Sequence, residues 1–233
     1  MMRKGIAYGV GVGPGDPELM TLKAARLIRE NEFIAVPGKK VRETAAFRIA
    51  VQAVPELEGK TLLDIEMPMT RDAEKLVIAH KEGAARIESI LDSGKNIVFL
   101  TLGDPTVYST FGYLARILAS DGYPVEYVSG VPSFCAAAAR LGEPLAEWDE
   151  RVTILPAAHA EDPELKAPGT KVIMKSASRL PDVKRALVGS RKAVSAVENC
   201  GMPNERVYSS AGEIPDDAGY FLLLIARDGS GEN

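Results

Sequence analysis

Little in this chain of 233 residues is suited to cross-linking or metal binding, because it has two cysteines and two histidines. Cys135 and Cys200 are too few for a disulfide framework, and neither sits in a CxxC pair or near a histidine in the chain, as a structural zinc site requires. They read as reduced thiols, and no metal is expected. His80 falls in a long helical stretch and His159 in a polar loop, so neither is expected to act in catalysis. A clustered Lys/Arg stripe is missing too. With 28 basic against 32 acidic residues the chain is mildly acidic, which excludes nucleic acid as an expected partner. Nor does any apolar run reach the roughly 20 residues of a membrane span. The opening MMRKGIAYGVGVGPG has a basic pair and a short apolar run, but glycines and Pro14 interrupt it. A cytoplasmic protein without a membrane partner is expected.

What is present is an alternation of short apolar runs and helical patterns, the mark of an α/β fold. Strands are expected at 5–12, 33–36, 96–102 and 125–129, with helices at 21–30, 43–54, 72–93 and 111–121. Asp72 is placed to cap the third helix, whose Leu76, Val77, Ile87, Ile90 and Leu91 form one stripe, and Gly94 to stop it. The run Asn96 to Leu102 is almost continuously apolar, as in a parallel strand buried on both faces. Beyond Gly130 the pattern restarts with an alanine-rich helix at 133–141 and strands at 152–155, 171–174, 192–198 and 220–226. A boundary near Val131 gives one domain at 1–130 and another at 131–228, the second with mixed strand directions, and a disordered tail at 229–233.

Two glycine-containing loops stand out, GVGVGPGD at 9–16 and LGDP at 102–105, each at the carboxyl end of an expected strand. Ligands bind at that edge of an open α/β sheet. Glycine lets the backbone approach a ligand closely and take up positive φ, while Pro14 and Pro105 fix the direction of exit. The dinucleotide fingerprint GxGxxG fails in either register, placing Pro14 or Asp16 at its third glycine, and no GxxxxGK[ST] sequence is present. Turn-forming glycines without a ligand, and a nucleotide-binding module without enzymatic activity, remain alternatives.

Three segments carry a resemblance: GVGVGPGDPELMTLKAARLI at 9–28, TLGDPTVYSTFGYL at 101–114 and SGVPSFCAAAARLGEPLAE at 129–147. In this order they resemble the signature segments of the tetrapyrrole methylases, and weaker similarity continues through VIMKSAS and AVENCGM. The resemblance implies two α/β lobes, usually in a homodimer, with S-adenosylmethionine held in the cleft between them. Carried over by position, Pro14 belongs to a loop beside the cofactor and Leu102, Gly103, Asp104 and Val107 to the main cofactor loop. Pro132 and Ser133 lie at the interdomain turn, while Met174 and Cys200 line the adenine side. Tyr108 is the candidate for assisting proton loss, and Lys39, Lys40, Arg42, Ser109 and Thr110 are candidates for holding the substrate. A solvated charge run is the alternative for the three cations.

Within that family, TLGDPTVYSTF and GVPSFCAAAARLGEPLAE are similar to the branch that methylates C-20 of precorrin-2 or cobalt-factor II. Relatives acting on uroporphyrinogen III typically end the second strand in an aspartate, where this sequence has Pro37. That branch, another precorrin methylase and diphthine synthase are the alternatives within the family.

Overall fold

The computed structural model describes residues 3–68, 70 and 72–229. Of the tail expected to be disordered, 230–233 lie outside the described residues. The chain divides into two compact units, Met1–Pro132 and Ser133–Asn233.

The first unit holds strands β1 (Ala7–Gly11), β2 (Phe33–Pro37), β3 (Thr61–Ile65), β4 (Ile97–Thr101) and β5 (Val125–Val128). Between them run helices α1 (Leu22–Glu30), α2 (Ala45–Ala53), α3 (Ala73–Asp92) and α4 (Phe111–Ser120). All four ladders of the sheet are parallel and its order is β3-β2-β4-β1-β5. Right-handed crossovers therefore send α1 and α2 to one face and α3 and α4 to the other. Side-chain alternation agrees: Ile97 and Phe99 of β4 share a cluster with Ile87 and Leu91 of α3 and Phe111 and Leu114 of α4. The intervening Val98 and Leu100 are equally buried, towards the opposite face. Adjacent strands β1 and β4 thus send their chains away to opposite faces, the switch point at which α/β sheets bind ligands.

Capping explains where the helices begin. Thr21 Oγ1 accepts from Ala24 N and Thr44 Oγ1 from Phe47 N, while Asp72 Oδ1 accepts from Glu74 N and Lys75 N. Gly94, at φ 77°, follows the end of α3 in the left-handed conformation. The expected stripe on α3 is buried only in its second half, around Gly83, Ala84, Ile87 and Leu91. Val77 is exposed, because the first turns of this 20-residue helix extend past the core.

The second unit carries α5 (Ser133–Leu141), β6 (Val152–Pro156), β7 (Thr170–Met174), α6 (Leu180–Gly189), β8 (Lys192–Glu198), β9 (Arg206–Tyr208) and β10 (Leu222–Asp228). Its sheet, β6-β7-β10-β8-β9, is mixed: β6 and β7 are parallel, and the other three ladders antiparallel. Leu180, Val183 and Leu187 of α6 join Ile173, Ala196 and Leu224 in one cluster, whereas Ala137 and Ala138 of α5 join Val172, Val197, Leu223 and Ile225 in another. Both faces of the sheet are covered.

Three elements go beyond those expected from the sequence. β9 is short and largely exposed, and β3 is only half-buried through most of its length, so neither shows a buried apolar run. Helix α6 opens on Leu180-Pro181, and proline near a helix start is compatible with the fold because the missing N–H has no intrahelical partner there. No helix of the described residues is long and apolar enough to cross a membrane.

On the α3 side, burial first, and then the nearby Asp121 and Asp92, raise the pKa of the Glu88 carboxyl, whose Oε1 has no hydrogen-bond partner among the described residues. A raised folded-state pKa means the folded chain keeps a proton that the unfolded chain releases above about 4.5. Stability contributed by that proton is present at low pH and is lost as pH rises through the folded value. Glu88→Gln is therefore expected to melt at a higher temperature than the wild type at neutral pH, with the difference closing below the ordinary glutamate range. Thermal melts across pH test this, and parallel pH profiles for the two proteins would contradict it.

Candidate functional site

Because the first sheet is wholly parallel, the loops after β1, β4 and β5 all leave its carboxyl edge. The first two are joined by their backbones. Gly13 and Gly103 form an isolated bridge in which Gly103 N donates to Gly13 O at 2.8 Å and Gly13 N to Gly103 O at 3.3 Å. Val12 N donates to Thr101 O at 2.9 Å. Both bridged glycines have positive φ, 80° and 72°, which disfavours a side chain at either position.

The third loop is held closer still. A Cβ on Gly11 would lie 2.5 Å from Gly103 O and 2.7 Å from Gly130 N, and one on Gly130 would lie 2.2 Å from Gly103 O. Only glycine at 11 and 130 permits this approach. The buried Asp104 carboxylate fastens the arrangement: Oδ2 accepts from Gly130 N at 2.9 Å, and Oδ1 from Thr106 N at 2.7 Å and from Thr106 Oγ1. Thr21 Oγ1 donates to Ser129 O at 3.4 Å, tying the start of α1 to the same loop.

Among the residues carried over from the resemblance, Pro14, Gly103 and Asp104 are buried in this junction, and Leu102 and Val107 are half-buried beside it. The Asp104 side chain is occupied by loop contacts, with both oxygens accepting from Gly130 and Thr106. Ser109 is likewise engaged, its Oγ lying 3.1 Å from Thr101 Oγ1 and accepting from Phe111 N at the start of α4. Thr110 is the residue before α4 and caps no N–H with its side chain. Tyr108 is half-exposed with φ 48°, an unusual conformation for a bulky residue, of a kind that costs about 1–3 kcal/mol.

Pro132 and Ser133 stand where the first unit ends and the second begins. In the second unit, β6, β7 and β8 run in one direction, so their carboxyl ends share an edge. Met174 ends β7 and Cys200 follows β8, and both half-buried side chains pack on the cluster of Val172, Val197 and Leu223. The chain turns left-handed just beyond each of these strands, at Ala157, Lys175 and Asn199, with φ of 52°, 57° and 52°. Sequence patterns gave no sign of this row, since none of the three is glycine. Burial holds the Lys175 ammonium below the usual lysine pKa.

Lys39, Lys40 and Arg42 are not gathered at the junction. Lys39 pairs with Glu66 at 2.9 Å, Lys40 with Glu43 at 3.0 Å, and Arg42 with Glu58 while lying over the Phe47 ring. All six partners are exposed, and such pairs contribute little. The three strand-end loops themselves carry no cation: neither lysine nor arginine occurs within 5–22, 96–115 or 117–139. No group of acidic, histidine or cysteine side chains able to hold a metal occurs among the described residues.

The chain is similar to known proteins. A model of the family described as tetrapyrrole (corrin/porphyrin) methylases matches residues 7–215. The chain is 38% identical over 170 residues to the probable cobalt-precorrin-2 C(20)-methyltransferase of Methanocaldococcus jannaschii, spanning 72% of this chain and 71% of that one. To the precorrin-2 C(20)-methyltransferase of a Sinorhizobium species it is 30% identical over 236 residues, 95% and 94% of the two chains. The fold is also that of the uroporphyrin-III C-methyl transferase of Thermus thermophilus complexed with S-adenyl homocysteine, with a TM-score of 0.69 at 24% identity over 96% of this chain and 97% of that one.

Replacing Asp104 by alanine leaves Gly130 N and Thr106 N without their acceptor. Asp104→Ala is expected to lower stability by about 1–3 kcal/mol, the range for stranding a buried donor, and Asp104→Asn by less because one amide oxygen remains. Urea denaturation of the two variants measures it. An Asp104→Ala protein as stable as the wild type would show that the carboxylate does not hold the loops.

Proposed function

We propose, given that the chain belongs to the tetrapyrrole (corrin/porphyrin) methylases, that it methylates C-20 of precorrin-2 or of cobalt-factor II in cobalamin biosynthesis. The methyl donor is S-adenosylmethionine. The observation that carries the reading is the likeness to two C-20 methyltransferases, at 38% and 30% identity and over most of both chains. Strand β2 ends at Pro37, whose side chain neither donates nor accepts a proton, and this speaks against the uroporphyrinogen branch.

The residues present suit this cofactor. A sulfonium is repelled by like charge, and the three strand-end loops are free of lysine and arginine. Their glycines bring backbone polar groups to the sheet edge, where Pro14, Leu102, Gly103, Asp104 and Val107 would hold the cofactor, with Pro132, Ser133, Met174 and Cys200 as further contacts. Each unit offers half-buried apolar surface of the kind that receives an adenine ring, Leu102 and Val107 in the first and Met174 and Cys200 in the second.

S-adenosylmethionine, when bound, supplies an electrophilic methyl carbon. What the chain must add is position and dryness: a nucleophilic carbon held about 3 Å from that methyl, with water kept out. No protein nucleophile is required. The meso carbon of a partly reduced tetrapyrrole is itself electron-rich, and the proton it releases needs only a weak base or water, with Tyr108 or a carboxylate of the substrate as the candidate to assist. The strained Tyr108 backbone, in the loop that follows Gly103, supports that assignment. Ser109 and Thr110 support the substrate from the same loop. The protein is a cytoplasmic homodimer in this reading.

Incubation with carbon-13-methyl cofactor and either tetrapyrrole is expected to place the label on C-20, read by carbon NMR. Label on a pyrrole-ring carbon, or on an elongation factor only, would overturn the assignment. Calorimetry is expected to give one S-adenosylhomocysteine site per chain and no binding of NAD or ATP; NAD binding alone would favour a dinucleotide module. Light scattering should give a mass of twice 25.0 kDa, and a mass of one chain would exclude the dimer.

A further inference from the structure

On the carboxyl edge of the first sheet the protein has a pocket of about 360 Å³. Its walls include Thr106, Tyr108 and Ser109 of the β4–α4 loop, Tyr113 and Arg116 of α4, and Tyr127 of β5. The three tyrosines are 49%, 48% and 45% exposed, an unusual concentration of half-open aromatic surface.

The pocket is built. The His80 ring stacks on Tyr113 at 4.6 Å with an 11° interplanar angle, and the Arg116 guanidinium lies 5.1 Å from the centre of the same ring. Tyr127 meets Phe111 edge-on at 5.2 Å, and Ser109 is fixed by Thr101. Burial, followed by the Arg116 charge, lowers the His80 pKa, which leaves Arg116 as the cation of this wall at neutral pH. Whereas Lys39, Lys40 and Arg42 each have a carboxylate partner, Arg116 has no ion pair among the described residues. An unneutralised guanidinium bordered by aromatic faces selects a planar ligand that carries a carboxylate.

We infer that this pocket receives one edge of the tetrapyrrole, with Arg116 pairing a peripheral carboxylate and Tyr108, Tyr113 and Tyr127 packing against the ring that bears it. The inference rests on the tetrapyrrole reading above and adds the anchoring residues. At the small end of the range of about 300–1,000 Å³ for ligand pockets, the volume suits one pyrrole ring with its acid arms and leaves the rest of the macrocycle outside. Because the β4–α4 loop forms both this wall and the junction with Gly13 and Gly130, the anchored edge lies next to the residues assigned to the cofactor. Arg116 is a specificity residue here and takes no part in bond making.

The test is a fluorescence titration with uroporphyrin I, a planar octacarboxylate that is already oxidised and accepts no methyl group. Arg116→Gln is expected to raise the porphyrin Kd about tenfold, near what one hydrogen bond to a charged group contributes, and Arg116→Lys to raise it less. Tyr127→Leu is expected to weaken porphyrin binding as well. S-adenosylhomocysteine affinity, measured by calorimetry on the same variants, should stay at the wild-type value. A change under threefold in Arg116→Gln would overturn the inference. So would a joint loss of both affinities, which would assign Arg116 to loop folding, or a shift in oligomeric mass, which would assign the pocket to contact between copies of the chain. Failure of the wild type to bind porphyrin and S-adenosylhomocysteine would instead count against the function proposed above.

Discussion

The first unit's ligand edge depends on one buried carboxylate. Asp104 reaches Gly130 N with one oxygen and the Thr106 N–H and hydroxyl with the other, so a single side chain sets the spacing of the loops after β4 and β5. Burying an ionised carboxyl is costly unless donors replace its water, and here three donors do. The same geometry demands backbone crossings that no Cβ can enter, hence glycine at 11 and 130, and a left-handed turn at 103. Both Asp104 oxygens are thereby taken up by the loops they hold, while Leu102 and Val107 beside it stay half-buried.

A different solution serves the second unit. There the sheet is mixed, and no glycine ladder marks its edge. Instead Ala157, Lys175 and Asn199 turn the chain left-handed just past three co-directional strands. Each such residue is less comfortable than glycine would be, and the neighbouring hydrogen bonds hold two of them: Ala157 N donates to Met174 O at 2.7 Å and Asn199 N to Phe221 O at 3.3 Å. The strain is distributed along the edge that carries Met174 and Cys200.

How much of this was legible follows from what each residue signals locally. Buried parallel strands announce themselves as unbroken apolar runs, so β4 was plain in Ile97 to Thr101, and the capping oxygen of Asp72 marked the start of α3. The glycine loops were legible because glycine and proline together have few other uses at a strand end. Hidden from the sequence were features decided by partners far along the chain. Whether Asp104 faces a ligand or a backbone N–H 26 positions away is a tertiary fact. Whether Val77 is covered depends on how far α3 outruns the sheet, and β3 and β9 are strands because neighbours offer them hydrogen bonds. The charge run at 39–42 follows the second strand, and its pairing with the exposed Glu66, Glu43 and Glu58 is likewise set by the fold.

Charge placement then links the two ligands that the family chemistry requires. A methyl donor with a sulfonium and an acceptor rimmed by carboxylates make opposite demands, one excluding cations and the other calling for them. The loops after β1, β4 and β5 meet the first demand with segments that contain no lysine or arginine. Arg116 meets the second from α4, following a 20-residue segment without cations and standing over the Tyr113 ring. Were that guanidinium moved onto the glycine loops, it would repel the sulfonium; were it paired as Lys39 is, its charge would already be spent on a local carboxylate. The two charge environments are thus kept apart along one loop and the helix it feeds, the separation that a cationic donor and an anionic acceptor brought to one sheet edge require.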